Sequence, residues 1–524
     1  MEATKVLIVG GSLNGLTTAA LLAQQGVPCI VVERQTGTTV QYKFSGISPR
    51  SMEIYRSLGL ESEIRARRTG DQKSGEIARA PNLSSPDIHF QGRPWADTAQ
   101  LSAATAETCD QDHLEPILRA YAAAHGADIR FATELIELEQ DEHEARARVR
   151  DLRTGVTRFV RADYVIACDG VAGRTRERAG VGRHGPGILQ HWMNIIFDTD
   201  LQPSLRGKRI TSCFVTDINA SIVPRADHWL LALQYSPEQG EKPEDFDQAR
   251  TEDLVRRAAG RTDVRARLID ARPWEVSAFI ADRFKRGRVF LLGDAAHSMP
   301  PTGGFGGNTG IHDAHNLAWK IAWVARGNAG AALLDTYDTE RRAIAEATLA
   351  QSLARLAAWF RDLGDRLPPA AKIRDDMDVI FGQRYPDGAF VSDSGSRIAD
   401  VFEDARHPTA GAGTRAPHIR VGDGCRTGPI HDFTGSGLLL LTAARGDDWV
   451  AAARESEQKR GIRLHTIRVE PDEEATMRPE KAYGLENDGA VLIRPDGVIA
   501  WRSRPTEGNR SHALEAALGV TLAT

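Results

Sequence analysis

Residues 288–317 read RVFLLGDAAHSMPPTGGFGGNTGIHDAHNL, and no other stretch limits the possible folds as strongly. An apolar run, Val289 to Leu292, stops abruptly at Gly293-Asp294. Pro300, Pro301, Gly303, Gly304, Gly306 and Gly307 follow, and a helical pattern starts near Asn308. Strand, acidic turn, glycine loop and helix in this order predict a site for a large phosphorylated cofactor. Asp294 is offered to a sugar hydroxyl. The loop lets backbone N–H groups approach a phosphate or an anionic ring, and the helix adds its positive N-terminal end. A Cβ in the loop would hold the backbone away from the ligand. A flexible Gly/Pro surface loop accounts poorly for so many turn formers directly after a buried-type strand.

The N-terminus predicts the other half of that site. KVLIV (5–9) is a continuous apolar run, as in a strand buried on both faces. Gly10, Gly11, Ser12, Leu13, Asn14 and Gly15 follow, then a helical run ending at Gly26, then a second strand leading into Glu33-Arg34. This is a βαβ unit with an acid 23 positions beyond Gly10. It matches the dinucleotide fingerprint G-x-G-x-x-G, whose acid binds a ribose hydroxyl. Ser12 stands in place of the middle glycine. A third patch, DYVIACDGVAGRTR (163–176), is another buried-type strand closed by Asp169-Gly170.

Composition narrows the class. A chain of 524 residues has room for two to four domains. Net charge −5 with scattered basic residues argues against nucleic acid as a partner. The five cysteines (29, 109, 168, 213, 425) show no C-x-x-C pair and no metal spacing, so no metal is expected. Cys29 and Cys168 read as inert core thiols. A sparse, odd count, a first strand beginning by residue 5 and no apolar run near 18 residues together predict a soluble cytoplasmic protein that does not enter a membrane.

The three patches, with CDQDHLEPILRA (109–120), resemble the single-component, class A FAD-dependent aromatic hydroxylases. The segments HWMNIIFDTDL (191–201) and PPTGGFGGN (300–308) resemble the subgroup acting on bacterial aromatic polyketides. The resemblance implies a Rossmann-like α/β FAD-binding domain with an inserted β-sheet substrate domain, as in para-hydroxybenzoate hydroxylase. It also implies a C-terminal thioredoxin-like αβ domain. The expected bounds are 1–182 for the first part of the FAD domain and 183–275 for the substrate sheet. The FAD domain is completed, with a helical connector, over 276–400, and the C-terminal domain spans 401–524. That last domain lacks C-x-x-C, so its expected role is structural or at a homodimer contact.

By resemblance, FAD is expected against Gly10, Gly11, Ser12, Asn14, Gly15, Glu33, Arg34, Gln111, Asp169 and Asp294. Pro301, Gly304, Gly306, Gly307 and Asn308 are expected on its ring side. The family's D-G motif commonly has serine where this chain has Gly173. Near the flavin edge the family often has arginine; Lys43 and then Arg50 stand in that stretch, and lysine lacks the planar fork of arginine. Tyr42 and Lys43 are the candidate catalytic residues, able to meet a phenol or quinone oxygen. Trp192, Met193, Phe197, Phe214 and Trp229 are candidates for a flat apolar substrate pocket, with ordinary core as their alternative. His297 reads as packing rather than proton transfer, and His312 and His315 as packing or surface.

The implied reaction is NAD(P)H- and O₂-dependent hydroxylation of a polycyclic aromatic polyketide through a flavin C4a-hydroperoxide. No second dinucleotide fold appears, so NAD(P)H is expected to bind transiently. Baeyer–Villiger insertion or ring rearrangement, a flavin dehydrogenase without O₂ activation, and a cofactor-free binding protein stay open as alternatives.

Overall fold

In the computed structural model, the described residues are 2–69, 76–90, 95, 98–225, 227–393, 400–423, 425, 427–435, 437–469, 479–485, 488–504 and 508–524. Among them, no helix is long and apolar enough to cross a membrane.

The apolar runs of the three motifs become adjacent parallel strands. Val289–Leu291 pairs with Thr157–Ala167, which pairs with Glu2–Val9, then Cys29–Glu33, then Asp128–Phe131. Val6, Leu7 and Ile8 are completely buried, as expected for parallel strands covered on both faces. Helices Leu13–Gln24 and Phe305–Ala325 pack together beside this sheet. The register puts the carboxyl ends of four strands, and therefore their turns, on one rim. Ligands of open α/β sheets bind at such a rim.

A second eight-stranded sheet stands over that rim. Its order is His297–Ser298, Arg267–Ala281, Arg183–Asp198, Trp229–Tyr235, Ala220–Pro224, Ile210–Val215, Glu76–Ala80 and His89–Phe90. The boundary expected at 183 coincides with the start of the 183–198 strand, whereas the one at 275 falls inside Arg267–Ala281. That strand runs on into the cofactor half and pairs there with His297–Ser298.

The chain ends in a thioredoxin-like αβ domain. Its four strands are Leu464–Arg468, Leu438–Thr442, Ala490–Ile493 and Ile499–Arg502, with helices Asp447–Arg460 and Arg510–Leu522 packed together. The Pro495-Asp496-Gly497 turn joins the last two strands and reaches into the cofactor half. There Arg494 pairs with Glu340 (2.7 Å) and with Asp496, while Lys320 pairs with Glu340 (2.8 Å), all essentially buried. Lys320 and Glu340 belong to helices Phe305–Ala325 and Thr336–Trp359, so this cluster fixes two helices that both reach the cleft. Removing one member would strand a buried charge, at a cost of about 3–5 kcal/mol.

Candidate active site

Between the rim of the first sheet and the face of the second lies a cleft of about 1750 Å³. Ordinary ligand pockets run to roughly 300–1,000 Å³, so this one has room for a dinucleotide and a second molecule together. A separate depression of about 670 Å³, at Gly180–Gly182 and Asp282–Gly287, is lined by charged groups rather than aromatic rings, and its Lys285 is paired with Asp335.

One end of the cleft is made of turns. Gly10 closes the first strand at φ +107°, and a Cβ there would lie 2.3 Å from the Cys168 carbonyl oxygen, so the turn requires glycine. Gly10, Gly11, Ser12, Asn14, Glu33 and Arg34 all line the cleft. Gly15 does not. It lies behind the turn, where its missing side chain lets the helix approach the Gly10 carbonyl, so its role is packing.

Glu33 accepts from the Gly11 N–H (2.7 Å) and the Gln35 N–H (2.7 Å). The Ser12 hydroxyl turns away from the turn. It donates to Glu115 Oε1 (2.6 Å) and accepts from Gln111 Nε2 (2.8 Å), while Gln111 also lines the cleft. Burial pushes the Glu115 carboxyl up against the opposing effect of these bonds. A serine is tolerated in the fingerprint because the helix Gln111–Ala124 supplies partners for its hydroxyl.

The other two motifs close this end. Asp169 Oδ2 accepts from the Thr175 N–H (3.0 Å) and hydroxyl (2.7 Å), while its Oδ1 is buried without a partner. A Cβ on Gly173 would fall 2.2 Å from the Asp169 carboxyl carbon, so a serine does not fit there in this arrangement. Asn14 Oδ1 is a second buried acceptor without a partner. Asp294 stands open to the cleft although protein surrounds it, and that burial raises its pKa, opposed by the nearby His297 and Lys43. Orphaned acceptors on Asp169 and Asn14, with an open carboxylate beside them, fit a cofactor rich in hydroxyl groups.

Pro301, Gly304, Gly306 and Gly307 line the cleft where helix Phe305–Ala325 begins, and no side chain caps that helix. Its first N–H groups therefore face this end unpaired by a cap. Asn308 corrects the expectation of a cofactor contact. Its Oδ1 accepts from the Ser48 N–H (2.9 Å) and the Ser51 hydroxyl (2.7 Å), and its Nδ2 donates to the Gly46 (3.0 Å) and Gly304 (2.8 Å) carbonyls. Its side chain bolts the glycine loop to residues 46–51. His297 is likewise spent inside the protein, on Asp313 at 2.7 Å, with Arg341 on the carboxylate's other oxygen.

The far end of the cleft is aromatic, and strand register decides which residues form it. Along Arg183–Asp198, Gln190, Trp192, Asn194 and Ile196 face the cleft. Met193, Ile195 and Phe197 face the opposite way, opposite Leu233, Leu231 and Trp229 on the neighbouring strand. They fill a second core with helix Gln248–Ala259. Met193, Phe197 and Trp229 are therefore core, not pocket, because successive side chains of a strand point to opposite faces. Trp192 and Phe214 do line the cleft.

Three rings not expected from the sequence join them. Trp274 lies 5.8 Å from Trp192, while Trp359 and Phe360 stand edge-on to Phe214 at 5.9 and 6.3 Å. Trp274 could have been found by the alternation of its strand. Trp359 and Phe360 could not, since they reach the cleft only because helix Thr336–Trp359 ends there. Tyr42 and Lys43 lie on the cleft wall between the two ends. Among the described residues, no group of His, Cys, Asp and Glu could hold a metal.

Comparison with known proteins agrees with this architecture. The FAD binding domain family matches residues 3–352, and the aromatic-ring hydroxylase C-terminal family matches residues 407–523. The tetracenomycin A2 monooxygenase-dioxygenase of Streptomyces glaucescens is 36% identical, over 100% of this chain and 97% of its own. The aklavinone 12-hydroxylase of Streptomyces purpurascens is 36% identical over 98% of each chain. The crystal structure of aklavinone-11 hydroxylase with FAD and aklavinone superimposes with a TM-score of 0.90 at 33% identity, covering 100% of both chains. With its cleft built for a hydroxyl-rich cofactor and both halves matched, the chain belongs to the FAD-binding aromatic-ring hydroxylases and is an FAD-dependent monooxygenase.

Proposed function

We propose that the protein hydroxylates a polycyclic aromatic polyketide, using NAD(P)H and O₂. The observation that carries this reading is a single cleft with two unlike ends, one of backbone turns and acids and one of aromatic rings. The relatives named for tetracenomycin A2 and aklavinone support the substrate class.

FAD bound here would take two electrons from NAD(P)H and, with O₂, deliver one oxygen atom to an aromatic carbon while the other leaves as water. Asp169, Asn14 and Asp294 would accept hydrogen bonds from its hydroxyl-bearing chain. Glu33 would bind a ribose hydroxyl, and the uncapped start of helix Phe305–Ala325 would favour negative charge on the ring. Trp192, Trp274, Phe214 and Phe360 would exclude water and hold a flat substrate. The Lys43 ammonium, which lies beside the cleft, would favour the phenolate over the phenol at a substrate hydroxyl, making the ring more electron-rich. Tyr42 would meet the same oxygen.

The test is NADPH and NADH oxidation with a panel of polycyclic phenols and quinones under isotopically heavy O₂. The expected result is aromatic-stimulated oxidation and a product heavier by one labelled oxygen. No stimulation by any polycyclic aromatic would overturn the reading, and full turnover in Lys43→Met would remove the role given to Lys43.

A further inference from the structure

The strap formed by residues 39–45 runs along the cleft wall between its two ends, and its fastenings are unequal. Thr39 is held at its N–H by Glu115 (2.7 Å). Phe44 and Ser45 accept backbone bonds from Gln111 (2.9 Å) and Cys109 (3.0 Å). All of these partners belong to the cofactor half. From the substrate sheet, Arg225 Nη1 reaches the Ser45 hydroxyl at 3.5 Å, and Tyr42 is held by two contacts. Its carbonyl accepts from Asn194 Nδ2 (3.2 Å), and its ring lies under the Arg225 guanidinium at 4.0 Å. Arg225 is in turn paired with Asp110 (3.1 Å), and its Nε and Nη2 are buried without hydrogen-bond partners, so Tyr42 is the face on which it rests.

Asn194 has a second bond. Its Oδ1 accepts from the Trp274 indole N–H at 2.8 Å. Trp274 is one of the rings of the aromatic wall. One amide therefore joins the substrate wall to the segment that carries Tyr42 and Lys43, and it uses a different atom for each task. Trp192 makes the corresponding bond to Gln190 (3.0 Å), which stays within the substrate sheet and reaches no strap residue. Among the described residues, the hydrogen-bonded link from ring to strap runs through Asn194.

We propose that Asn194 is a positioning residue through which the substrate wall sets the Tyr42–Lys43 segment, so that an aromatic molecule stacked on Trp274 steadies that segment beside the cofactor end. This rests on the substrate reading given above. Asn194→Asp separates the two tasks. A carboxylate still accepts from Trp274 but has no proton to donate to the Tyr42 carbonyl. Asn194→Leu removes both bonds at similar volume and serves as the second variant should the added charge disturb folding.

The measurement is trypsin cleavage after Lys43, which is exposed, in the FAD-loaded enzyme with and without dihydroxyanthraquinone as probe. Peptides are read by mass, and probe binding is read separately from tryptophan quenching. The expected result is quenching in all three proteins, but protection of the Lys43 bond, by about fivefold or more, in the wild type alone. In steady state the variants should lose about tenfold in kcat for aromatic-stimulated NAD(P)H oxidation, with KM changed less than about threefold. Equal protection in wild type and both variants overturns the proposal, as does quenching without protection in the wild type. Variants that lose only thermal stability and flavin content, with ligand-dependent protection intact, overturn it as well. No quenching in the wild type overturns the substrate reading instead, and the relay with it.

Discussion

The two ends of the cleft are built from different parts of the chain in different ways. At the cofactor end the protein presents backbone and short polar groups. Gly10, Gly11 and the Gly304–Gly307 turn lie against the cavity, and the acceptors of Asn14, Asp169 and Asp294 lie between them. At the aromatic end it presents side chains from four separate elements: Trp192, Trp274, Phe214 and the helix end at Trp359 and Phe360. The first end recognises a fixed ligand by hydrogen bonds whose loss would leave buried acceptors unpaired. On the proposed function, the second would select by shape and apolar area, which tolerate variation. A cofactor site can therefore stay constant while the substrate site changes.

Gly10→Ala should have the largest effect and should act on the cofactor end alone. The new Cβ would press on the Cys168 carbonyl at 2.3 Å in a backbone region L-residues avoid. FAD affinity should fall by at least about 100-fold, or about 3 kcal/mol. The flavin-to-protein absorbance ratio after gel filtration reads this, while aromatic quenching of tryptophan fluorescence should persist. Retention of FAD would break the contrast.

Met193→Ala tests the face assigned to it. Met193 is fully buried in the core behind the sheet. The variant should lose about 2–4 kcal/mol of stability in urea titration and leave KM for the aromatic substrate unchanged. A rise in KM without a change in stability would put Met193 back in the pocket. Trp274→Ala should do the opposite. It should raise KM by roughly 10–30-fold, about 1.5–2 kcal/mol of lost contact, while flavin content holds.

The smallest effect comes from the frame that both ends share. His312 and His315 lie on the helix that begins at the glycine loop. Burial holds His312 well below the usual histidine range and His315 at about 3. Because these folded pKa values lie below the unfolded value of about 6.5, the unfolded chain binds more protons as the solution is acidified. Their contribution to stability is complete above about pH 6.5 and is lost progressively below it, by about 1–2 kcal/mol per histidine down to pH 5. The melting temperature should fall over this interval, and His315→Gln should flatten the slope. An unchanged slope would mean that His315 is not held neutral.

Much of the architecture could be read before folding was considered. The four strands of the C-terminal domain lie on apolar runs of the sequence, and Pro495-Asp496-Gly497, between the last two, is made of turn-forming residues. The same holds for the cofactor turns, since Gly10, Glu33, Asp169 and Asp294 each follow a buried-type strand. The misreadings in the pocket have one cause. Met193, Phe197 and Trp229 are as apolar as Trp192 and Phe214, and only pairing register separates the two faces. Gly15 and Asn308 lie within the right motifs, but one is used for helix packing and the other to bolt the loop to residues 46–51. Asn194 and Arg225 carry no local signal, because their partners are remote along the chain.

The sequence by itself determined the cofactor end, because a strand, a turn and a helix start are contiguous and each imposes its own residue types on a short stretch. Which aromatic rings reach the cleft, and which amide ties them to the strap at residues 39–45, was decided only by the tertiary structure. Those contacts join strands and helices remote in sequence, and a shift of one residue in register would turn every ring on a strand to the other face.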